Sequence, residues 1–276
     1  MHTTASDGSV TPGECVELAG TLGLAAIGIT DHDTMAGVGE AQARGAELGV
    51  EVVAGLELTA SHGPWVVHLL GYCPEPGDPG LEALLTRVRA SRDERNPQIL
   101  RRLAAVGCPV SADEVAAEAG SHVVGRPHIA AAMVRKGYVR NFQEAFDKFL
   151  AAGGAAYVER RRQSAADVIA AILGARAVPV LAHPGALGIH SAEELDRLVR
   201  SLVEVGLRGV EAYYHAHTAR QVAICRRVAE RRGLVVTGGS DFHGAGKPDI
   251  QLGRGMGNMH VPYHLLVGLR AARERL

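Results

Sequence analysis

The sequence predicts an α/β fold built on a parallel β-sheet, and three observations lead to it. Short apolar runs alternate with segments of helical length along most of the 276 residues. The runs are hydrophobic at consecutive positions rather than alternate ones, which is typical of parallel strands buried on both faces. His, Asp and Glu side chains also lie at or near the ends of several runs, where α/β folds place their active sites.

The first part of the chain predicts three strands. A capping box at Thr11 to Glu14, with Pro12 at the first helical position, starts a helix that is expected to end near Gly23. A further helix is expected over residues 36–48, and the strands are expected over residues 25–30, 50–58 and 65–73.

The middle of the chain predicts a helical insertion. The Pro/Gly-rich segment 74–80 is a boundary, and residues 81–150 form helix after helix with no convincing strand. We expect a barrel made of residues 1–79 and 155–276, with an insertion at 80–154 that covers the active site. The arginines of its first helix are expected to coat an exposed face: Arg87, Arg89, Arg92, Arg95, Arg101 and Arg102.

The alternation of strands and helices resumes after the insertion. Helices are expected from Ser164, from Ser191, up to Arg232, and over residues 263–275. Strands are expected over residues 178–183, 209–214 and 234–238, which brings the predicted number of strands to six.

The composition excludes several functional classes. The 29 basic and 30 acidic residues nearly cancel, which argues against a nucleic-acid coat or a membrane-surface patch. The four cysteines form no Cys-x-x-Cys pair, so neither a disulfide framework nor a thiolate zinc site is expected. No apolar stretch approaches the ~20 residues that span a bilayer, and the polar start does not resemble a signal peptide. We therefore expect a cytoplasmic protein without a membrane or protein partner.

Side chains that could bind metal recur at the ends of the apolar runs. The segment Thr30-Asp31-His32-Asp33-Thr34 follows the first predicted strand, and its aspartates are expected to orient ligands rather than bind metal. Imidazoles and carboxylates without thiolates suit Mn, Zn or Fe better than a closed structural zinc. Eight ligands exceed the needs of one tetrahedral ion, so we predict two or three divalent ions. In chain order the candidates are His2, Asp7, His32, Glu57, His68, His183, Asp241 and His243.

Each candidate ligand also has a structural interpretation. Asp241 and His243 could form a turn with a helix cap, and His183 could be a satisfied core histidine. Glu57 alone is as consistent with a buried salt bridge as with a metal ligand. The metal interpretation therefore depends on the candidates occurring together.

In combination, these motifs resemble the PHP (polymerase and histidinol phosphatase) family. Within that family, the sequence is most similar to small stand-alone phosphoesterases that act on nucleoside 3',5'-bisphosphates and on the 5' ends of short RNAs. Two segments of the insertion, Gly125-Arg126-Pro127-His128 and Lys148-Phe149-Leu150, resemble substrate-binding elements of that branch. The matching motifs cover essentially the whole chain: His-Thr-Thr-Ala-Ser-Asp-Gly at 2–8, Thr-Asp-His-Asp-Thr at 30–34, Gly-Leu-Glu at 55–57, His-Leu-Leu-Gly at 68–71, Ala-His-Pro at 182–184 and Ser-Asp-Phe-His at 240–243.

The resemblance implies a distorted (β/α)7 barrel with a trinuclear metal site. Carried over by motif, the ligand sets are His2, Glu57 and Asp241 for the first ion, Glu57, His68 and His183 for the second, and Asp7, His32 and His243 for the third.

One feature of the family has no counterpart in this sequence. The family opens with His-x-His at the end of its first strand, whereas His2 matches only the second histidine and follows Met1 directly. We therefore expect the first strand to be missing from this chain. Either the start of the chain was placed too late in the natural sequence, or the sheet is open and the first metal site lacks one of its ligands. We favour the misplaced start, because every later ligand is present.

The predicted activity is hydrolysis of phosphomonoesters by a metal-activated hydroxide. Clustered divalent ions lower the pKa of a bound water, neutralise phosphoryl oxygens and align the nucleophile with the leaving oxygen. Asp241, His243 and His217 are the candidate catalytic residues, and His217 would contact the phosphate or donate a proton to the leaving group. The expected substrate is a nucleoside 3',5'-bisphosphate or the 5' end of a short RNA.

Four residues are expected to bind this substrate: Arg126, His128, Lys148 and Arg160. Guanidinium groups pair bidentately with phosphate, so the basic members would clamp a second phosphate. The triplet Arg160-Arg161-Arg162 is equally typical of a solvated face.

Two other functions stay open at this point. A metal-activated hydroxide can also attack a carbonyl group, so amide or lactone hydrolysis is an alternative, although the basic insertion argues against it. The missing first histidine is also compatible with a non-catalytic module that binds metal or nucleotide.

Overall fold

A computed structural model describes residues 1–119, 123–189, 191–257 and 259–276. Its strands are β1 (Ala26–Ile29), β2 (Glu51–His62), β3 (Trp65–Tyr72), β4 (Gln163–Ser164), β5 (Val178–Leu181), β6 (Gly209–Tyr214) and β7 (Val235–Gly239). Its α-helices are α1 (Pro12–Thr21), α2 (Val38–Leu48), α3 (Pro79–Ala105), α4 (Ala112–Ala119), α5 (Arg126–Arg135), α6 (Phe142–Ala145), α7 (Ala165–Gly174), α8 (Ala192–Glu204), α9 (Ala219–Arg232) and α10 (His264–Glu274).

The strands form one curled sheet in the order β1-β2-β3-β5-β6-β7, and the two-residue β4 pairs with β2 outside this path. The predicted six strands and the barrel-like α/β fold are thus confirmed. The expectation of a fully parallel sheet is wrong at β3, which runs antiparallel to both β2 and β5. Only Gly63 and Pro64 separate β2 from β3, whereas a parallel crossover needs about a dozen residues. Gly63, at φ +54°, makes the tight reversal.

The main hydrophobic core lies between the sheet and the helices that follow its strands. Leu58 and Leu69 from β2 and β3 pack there with Ile172 of α7 and Leu198 of α8, and all four are fully buried. None of the helices in the described ranges combines the length and the apolar character needed to cross a membrane.

The helical insertion has a core of its own, built around Ile129 and Met133 of α5. Helix α3 contributes to both cores, because its first half places Leu84 in the main core and its second half places Leu103 in the insertion core. The two cores are therefore joined by one continuous helix. The division at residues 80–154 stays a prediction.

The first two residues bridge the ends of β1 and β7. The Thr30 amide donates to the Met1 carbonyl (3.0 Å), and the His2 amide donates to the Phe242 carbonyl (2.9 Å). In the described residues β1 pairs with β2 and β7 pairs with β6, and an apolar cavity of about 390 Å³ lies between β1 and β7. These backbone bonds fix the position of His2 at the end of the sheet.

Candidate metal centre

The loop that carries His2 and Asp7 is folded around a buried aspartate. Asp31 is fully buried, and its two carboxylate oxygens accept hydrogen bonds from the Thr3 amide (2.7 Å), the Thr3 hydroxyl (2.8 Å) and the Ser6 hydroxyl (2.6 Å). Asp31 therefore supports the loop that carries His2 and Asp7, and its expected role of orienting metal ligands stays a prediction.

The strands bring the remaining candidate ligands to the same place. His32 follows β1 and forms an isolated parallel bridge with Glu57, which lies within β2. The other positions are His68 in β3, His183 directly after the end of β5, and Asp241 and His243 directly after β7. We refer to these six residues together with His2 and Asp7 as the ligand cluster.

Glu57 lies at the centre of the ligand cluster. Its Oε2 is 3.0 Å from Nε2 of His2, and its Oε1 is 2.6 Å from Nδ1 of His68 and 3.1 Å from Nε2 of His183. The side chain is only 3% exposed. A single carboxylate thus joins histidines from three different segments.

Two more carboxylates complete the ligand cluster. Oδ1 of Asp241 is 3.1 Å from Nε2 of His2, and Oδ1 of Asp7 is 3.6 Å from both Nδ1 of His2 and Nε2 of His243. The His2 ring stacks on that of His243 with centroids 4.2 Å apart, and it lies 4.4 Å from the ring of His32. All eight predicted ligands are therefore brought together.

The donor atoms fit divalent metal ions. Within each of three overlapping groups, one donor atom per residue lies within 4.8 Å of the others. Nδ1 of His2, His32 and His183 is buried without a hydrogen-bond partner in the described part of the chain, as a nitrogen reserved for a metal would be. The groups are His2, Asp7, His32 and His243; His32, Glu57 and His68; and His2, Glu57 and Asp241.

The first and third of these groups contain the ligand sets that the family resemblance implies for two of the ions. The second group differs, because it contains His32 in place of His183. His183 nevertheless lies 3.1 Å from Glu57, the carboxylate expected to bridge two ions.

The three carboxylates of the ligand cluster are ionised. Burial acts against ionisation, but neighbouring histidines outweigh it and hold the pKa of Asp7, Glu57 and Asp241 below the usual value. The ammonium of Lys247, 2.7 Å from Oδ2 of Asp241, also lowers the pKa of that carboxyl. Three negative charges in a confined space attract divalent cations.

Four histidines of the ligand cluster fall into two pairs with opposite pKa shifts. Burial lowers the pKa of His32 to about 4 and that of His243 to about 3, so both rings are neutral and able to ligate a metal. Burial also disfavours the charge on His2 and His183, but hydrogen bonds to the carboxylates raise their pKa to about 10 and about 9. In the metal-free protein these two histidines hold protons that metal binding would displace.

Backbone strain is concentrated at the ligand cluster. His183 and Asp241 have positive φ angles of +27° and +54°, and Asp33, next to His32, has +58°. Such conformations cost about 1–3 kcal/mol each in residues other than glycine, and they persist where the surroundings enforce them. The strain indicates that these side chains are held in set directions.

Glu211 is a residue of the site that sequence reasoning missed. It lies on β6, is 5% exposed, and accepts a hydrogen bond from the His183 amide (2.8 Å), so it supports the strained turn. Burial raises its pKa to about 7. A lone carboxylate inside the apolar run Gly209-Val210-Glu211-Ala212-Tyr213 is the signal that could have identified it.

The insertion and the segment that follows it place a group of arginines beside the ligand cluster. Nε of Arg92 is 2.6 Å from Oδ2 of Asp33, and Nη1 of Arg160 is 3.4 Å from the same oxygen. Arg95 is 6% exposed. Burial lowers the pKa of its guanidinium to about 9, and the nearby charges of Arg92, Arg126 and Arg160 contribute to this shift. We call Arg92, Arg95, Arg126 and Arg160 the arginine cluster.

The expectation that the arginines of α3 only coat an exposed face is therefore wrong for Arg92 and Arg95. Arg92 is held by Asp33, and Arg95 donates from Nη2 (2.7 Å) and Nε (3.2 Å) to Oδ1 of its neighbour Asn96. Arg92 also lowers the pKa of Asp7, which places it next to the ligand cluster.

The predicted substrate-binding residues differ in their surroundings. Arg126 belongs to the arginine cluster, and its Nη1 donates to the Leu150 carbonyl (2.9 Å). His128 is buried, accepts from the Gly125 amide (2.9 Å) and bonds the Ser6 carbonyl, so it joins α5 to the loop of Asp7. Lys148 is 61% exposed and pairs with Glu144 one turn earlier (2.7 Å). Among the described residues, no contact joins Lys148 to the arginine cluster.

His217 does not have the free nitrogen that a proton donor to the substrate needs. Its Nε2 accepts from the Gly185 amide (3.0 Å), and its Nδ1 lies 2.8 Å from the Ala212 carbonyl, to which it donates. The ring is 7% exposed. In this geometry His217 holds the turn after His183 against the end of β6, and its catalytic role stays a prediction.

Known proteins are similar to this one in sequence and in fold. Residues 1–100 match the family profile described as the PHP domain. The chain is 31% identical over 254 residues to a 3',5'-nucleoside bisphosphate phosphatase of Chromobacterium violaceum, covering 92% of this chain and 89% of that protein. It is 34% identical over 250 residues to a phosphoribosyl 1,2-cyclic phosphate 1,2-diphosphodiesterase of Eggerthella lenta, covering 88% and 92%. A 5'-3' exoribonuclease of Haemophilus influenzae is 31% identical, with 88% of each chain covered.

A solved structure supports the same grouping. A protein of Bifidobacterium adolescentis, described as a metal-dependent phosphoesterase, superposes with a TM-score of 0.88 at 33% identity, covering 98% of this chain and 94% of that one. The curled sheet and the site at its end are thus those of a metal-dependent phosphoesterase, a hydrolase. The chain belongs to the PHP family.

Proposed function

We propose that this phosphoesterase removes a phosphate from substrates that carry a second phosphate nearby, either a nucleoside 3',5'-bisphosphate or the 5' end of a short RNA. The observation that carries this proposal is the arginine cluster beside the ligand cluster. Among the described residues, the ion pairs of its four guanidinium groups all go to one carboxylate, that of Asp33. Buried positive charge in such excess is stabilised by an anionic ligand.

Arg95 supports the proposal most directly. Its guanidinium is nearly fully buried, and the bonds it makes to the described residues go to a neutral amide oxygen. A phosphate could take up the remaining donors in bidentate geometry, which suits guanidinium better than ammonium. The neighbouring ligand cluster would hold the phosphate that is cleaved.

The ligand cluster and the arginine cluster have different roles in the proposed reaction. Divalent ions bound by the ligand cluster would lower the pKa of a water and neutralise charge on the phosphoryl oxygens. Glu57, Asp7 and Asp241 supply the negative charge that retains those ions, and the neutral rings of His32 and His243 supply nitrogen donors. The arginine cluster orients the substrate through its second phosphate, so that the scissile ester is held at the ligand cluster.

The names of the related proteins support phosphoester substrates over amides or lactones, since each names a phosphoester or nucleic-acid reaction. They differ in substrate, so the arginine cluster is the argument for a second phosphate. Lys148, exposed and paired with Glu144, is a weaker candidate for this role than Arg95.

The test compares adenosine 3',5'-bisphosphate with adenosine 3'-monophosphate and a short 5'-phosphorylated RNA, in Mn²⁺ and in EDTA. We expect Mn²⁺-dependent phosphate release from the bisphosphate or the RNA and much slower release from the monophosphate. The variant Arg95→Met should raise the KM for the preferred substrate by about tenfold or more, because a charge-assisted hydrogen bond is lost. Arg101→Met, on the exposed part of the same helix, is the matched control.

Two results contradict the proposal. One is the absence of phosphate release from all three substrates and from histidinol phosphate. The other is equal turnover of the bisphosphate and the monophosphate, since the arginine cluster then recognises no second phosphate.

A further inference from the structure

Asp33 connects the two halves of the site. Its backbone belongs to the ligand segment, because it follows His32 and its amide donates to the Glu57 carbonyl (3.0 Å). Its carboxylate points instead toward the arginine cluster, where Oδ2 pairs with Arg92 of the insertion and with Arg160, which follows the insertion. The side chain is fully buried, so these pairs are shielded from solvent.

The backbone of Asp33 takes part in the same connection. Nη1 of Arg89 donates to the Asp33 carbonyl (3.2 Å), so two arginines of α3 are bonded to this one residue. Its φ of +58° is a conformation that asparagine and aspartate tolerate better than most residues, and it turns the carboxylate away from the ligand cluster. Both the backbone and the carboxylate of Asp33 are thereby held in place by arginines.

The surroundings leave little freedom for Arg92 to bind elsewhere. A Cβ atom added to Gly125 would lie 3.2 Å from Nη1 of Arg92, so the guanidinium occupies the space that a side chain at residue 125 would need. The position of Arg92 is therefore set by Asp33 on one side and by the start of α5 on the other.

We propose that Asp33 is a positioning residue that sets the distance between the ligand cluster and the arginine cluster, so that the enzyme selects substrates with two phosphates at a fixed spacing. This inference rests on the proposed function. Asp33 itself touches neither phosphate in this scheme. It acts by holding Arg92 and Arg160, and a shift of these groups by about 1 Å is sufficient to impair a reaction that depends on alignment.

The variant Asp33→Asn tests the proposal with the smallest structural change. Asparagine has the same size and accepts the left-handed backbone, but it cannot form the two ion pairs. The control Asp196→Asn removes a comparable carboxylate, which bonds Nε of Arg232 at 3.0 Å between α8 and α9, away from the site. The readout is the ratio of kcat/KM for adenosine 3',5'-bisphosphate to that for adenosine 3'-monophosphate.

We expect Asp33→Asn to lower this selectivity ratio by between about tenfold and a hundredfold, and Asp196→Asn to leave it unchanged. An equal loss on both substrates would overturn the proposal, because Asp33 would then serve the ligand cluster alone. An unchanged ratio would overturn it as well.

A double-mutant cycle separates positioning from general structural damage. If Asp33 acts through Arg160, then Asp33→Asn combined with Arg160→Gln lowers the selectivity little more than Arg160→Gln alone. Additive effects of the two substitutions would contradict the proposal. The Arg160→Gln arm also gives an answer if Asp33→Asn fails to fold, since loss of one partner should lower the ratio in the same direction.

Binding measurements distinguish a failure here from a failure of the proposed function. Calorimetry with adenosine 3',5'-bisphosphate and adenosine 3'-monophosphate on the metal-free protein gives an affinity ratio without turnover. If the wild-type protein hydrolyses neither nucleotide but binds the bisphosphate more tightly, and Asp33→Asn removes that preference, the positioning role stands while the proposed reaction fails. If the wild-type protein shows no preference in binding or turnover, both fail.

Discussion

Glu57 is the residue on which the ligand cluster depends most. It lies within 3.1 Å of nitrogen atoms of His2, His68 and His183, and its carboxylate is ionised in spite of burial. Uncharged imidazoles at these distances do not by themselves attract a divalent cation as strongly as a carboxylate does. The negative charge of Glu57 should therefore be indispensable for metal binding.

The variant Glu57→Gln tests this dependence. It keeps the size of the side chain and removes the charge, so we expect loss of bound Mn²⁺ after dialysis and a fall in phosphate release of about a hundredfold or more. Elemental analysis of the dialysed protein measures the metal content independently of activity. Glu75→Gln, at a carboxylate that is 52% exposed and paired with Arg176, is the control. A Glu57→Gln protein with the wild-type metal content would show that the site is held by other groups.

Glu211 makes the stability of the metal-free protein depend on pH. Its pKa is about 7 in the folded protein and 4.5 ordinarily, so the unfolded chain releases this proton at lower pH than the folded one. Between these two values the unfolded state is favoured increasingly as pH rises, by up to about 3 kcal/mol in total. Below pH 4.5 and above pH 7 this contribution no longer changes.

Glu211→Gln should remove this contribution while keeping an oxygen for the His183 amide. In EDTA, we expect the variant to lose less stability than the wild type between about pH 4.5 and about pH 8. Urea unfolding at both pH values measures the difference. The raised pKa of His2 makes the folded state less stable as pH rises toward 10 in both proteins. The pKa of His183 is raised partly by the charge of Glu211, so its contribution becomes smaller in the variant and adds to the expected difference. The same pH dependence in both proteins would mean that Glu211 is not desolvated as the structure indicates.

At the residue scale, the sequence indicated the residues of the ligand cluster and also Arg126 and Arg160, but not Arg92 and Arg95. The ligands follow strand ends, which a local apolar pattern reveals, and their types restrict the chemistry. Burial of Arg92 depends on Asp33, which is 59 residues away in the sequence, and no pattern within α3 distinguishes it from an exposed arginine such as Arg101. The bond between His217 and Gly185 is equally invisible to a local pattern, because the two residues are 32 positions apart.

At the level of elements, two glycines have opposite packing environments. Gly45 lies inside α2, where an added Cβ would be 2.5 Å from the Val50 carbonyl oxygen. Gly28 lies inside β1 without a positive φ, and an added Cβ would make an ordinary contact of 3.5 Å with Tyr72. Helix propensity alone favours alanine over glycine by about 1 kcal/mol, so a destabilising Gly45→Ala would show that packing outweighs propensity.

Alanine substitutions at the two glycines should therefore change stability in opposite directions. Gly45→Ala should lower the free energy of unfolding by about 1–3 kcal/mol, because helix α2 must move away from the start of β2. Gly28→Ala should raise it by about 0.4–1 kcal/mol, because the unfolded chain loses conformational freedom. Urea unfolding followed by circular dichroism measures both. A stabilising Gly45→Ala would mean that the helix and the strand are not in close contact.

The elements that the sequence revealed are those with a local signal. Thr11 to Glu14 and Ser164 do cap α1 and α7, since capping depends on residues three positions apart. The two-residue β4 is too short to show any periodicity, and the direction of β3 is set by the turn at Gly63 rather than by its own apolar run. Strand direction therefore has to be inferred from the length of the connection. The connection between β2 and β3 is too short for a parallel crossover, so the sequence already contained the signal for an antiparallel pair.

For the whole molecule, the shared helix α3 is the main determinant of cooperativity. Leu84 is buried in the main core and Leu103 in the insertion core, and the pairing of Arg92 with Asp33 lies between them along the helix. If the insertion unfolded, the second half of α3 would lose its packing partners, and the arginines would no longer be held beside the ligand cluster. We therefore expect the barrel and the insertion to unfold together.

The single tryptophan makes this expectation testable. Trp65 packs against the main core and reports on the barrel by fluorescence, while far-UV circular dichroism reports mostly on helices, many of them in the insertion. Leu103→Ala removes a fully buried side chain from the insertion core, at a cost of about 2–5 kcal/mol. If the two cores are coupled, the Trp65 transition in urea moves to lower concentration together with the circular dichroism transition. A Trp65 transition that stays in place while the helical signal is lost earlier would show that the insertion unfolds on its own.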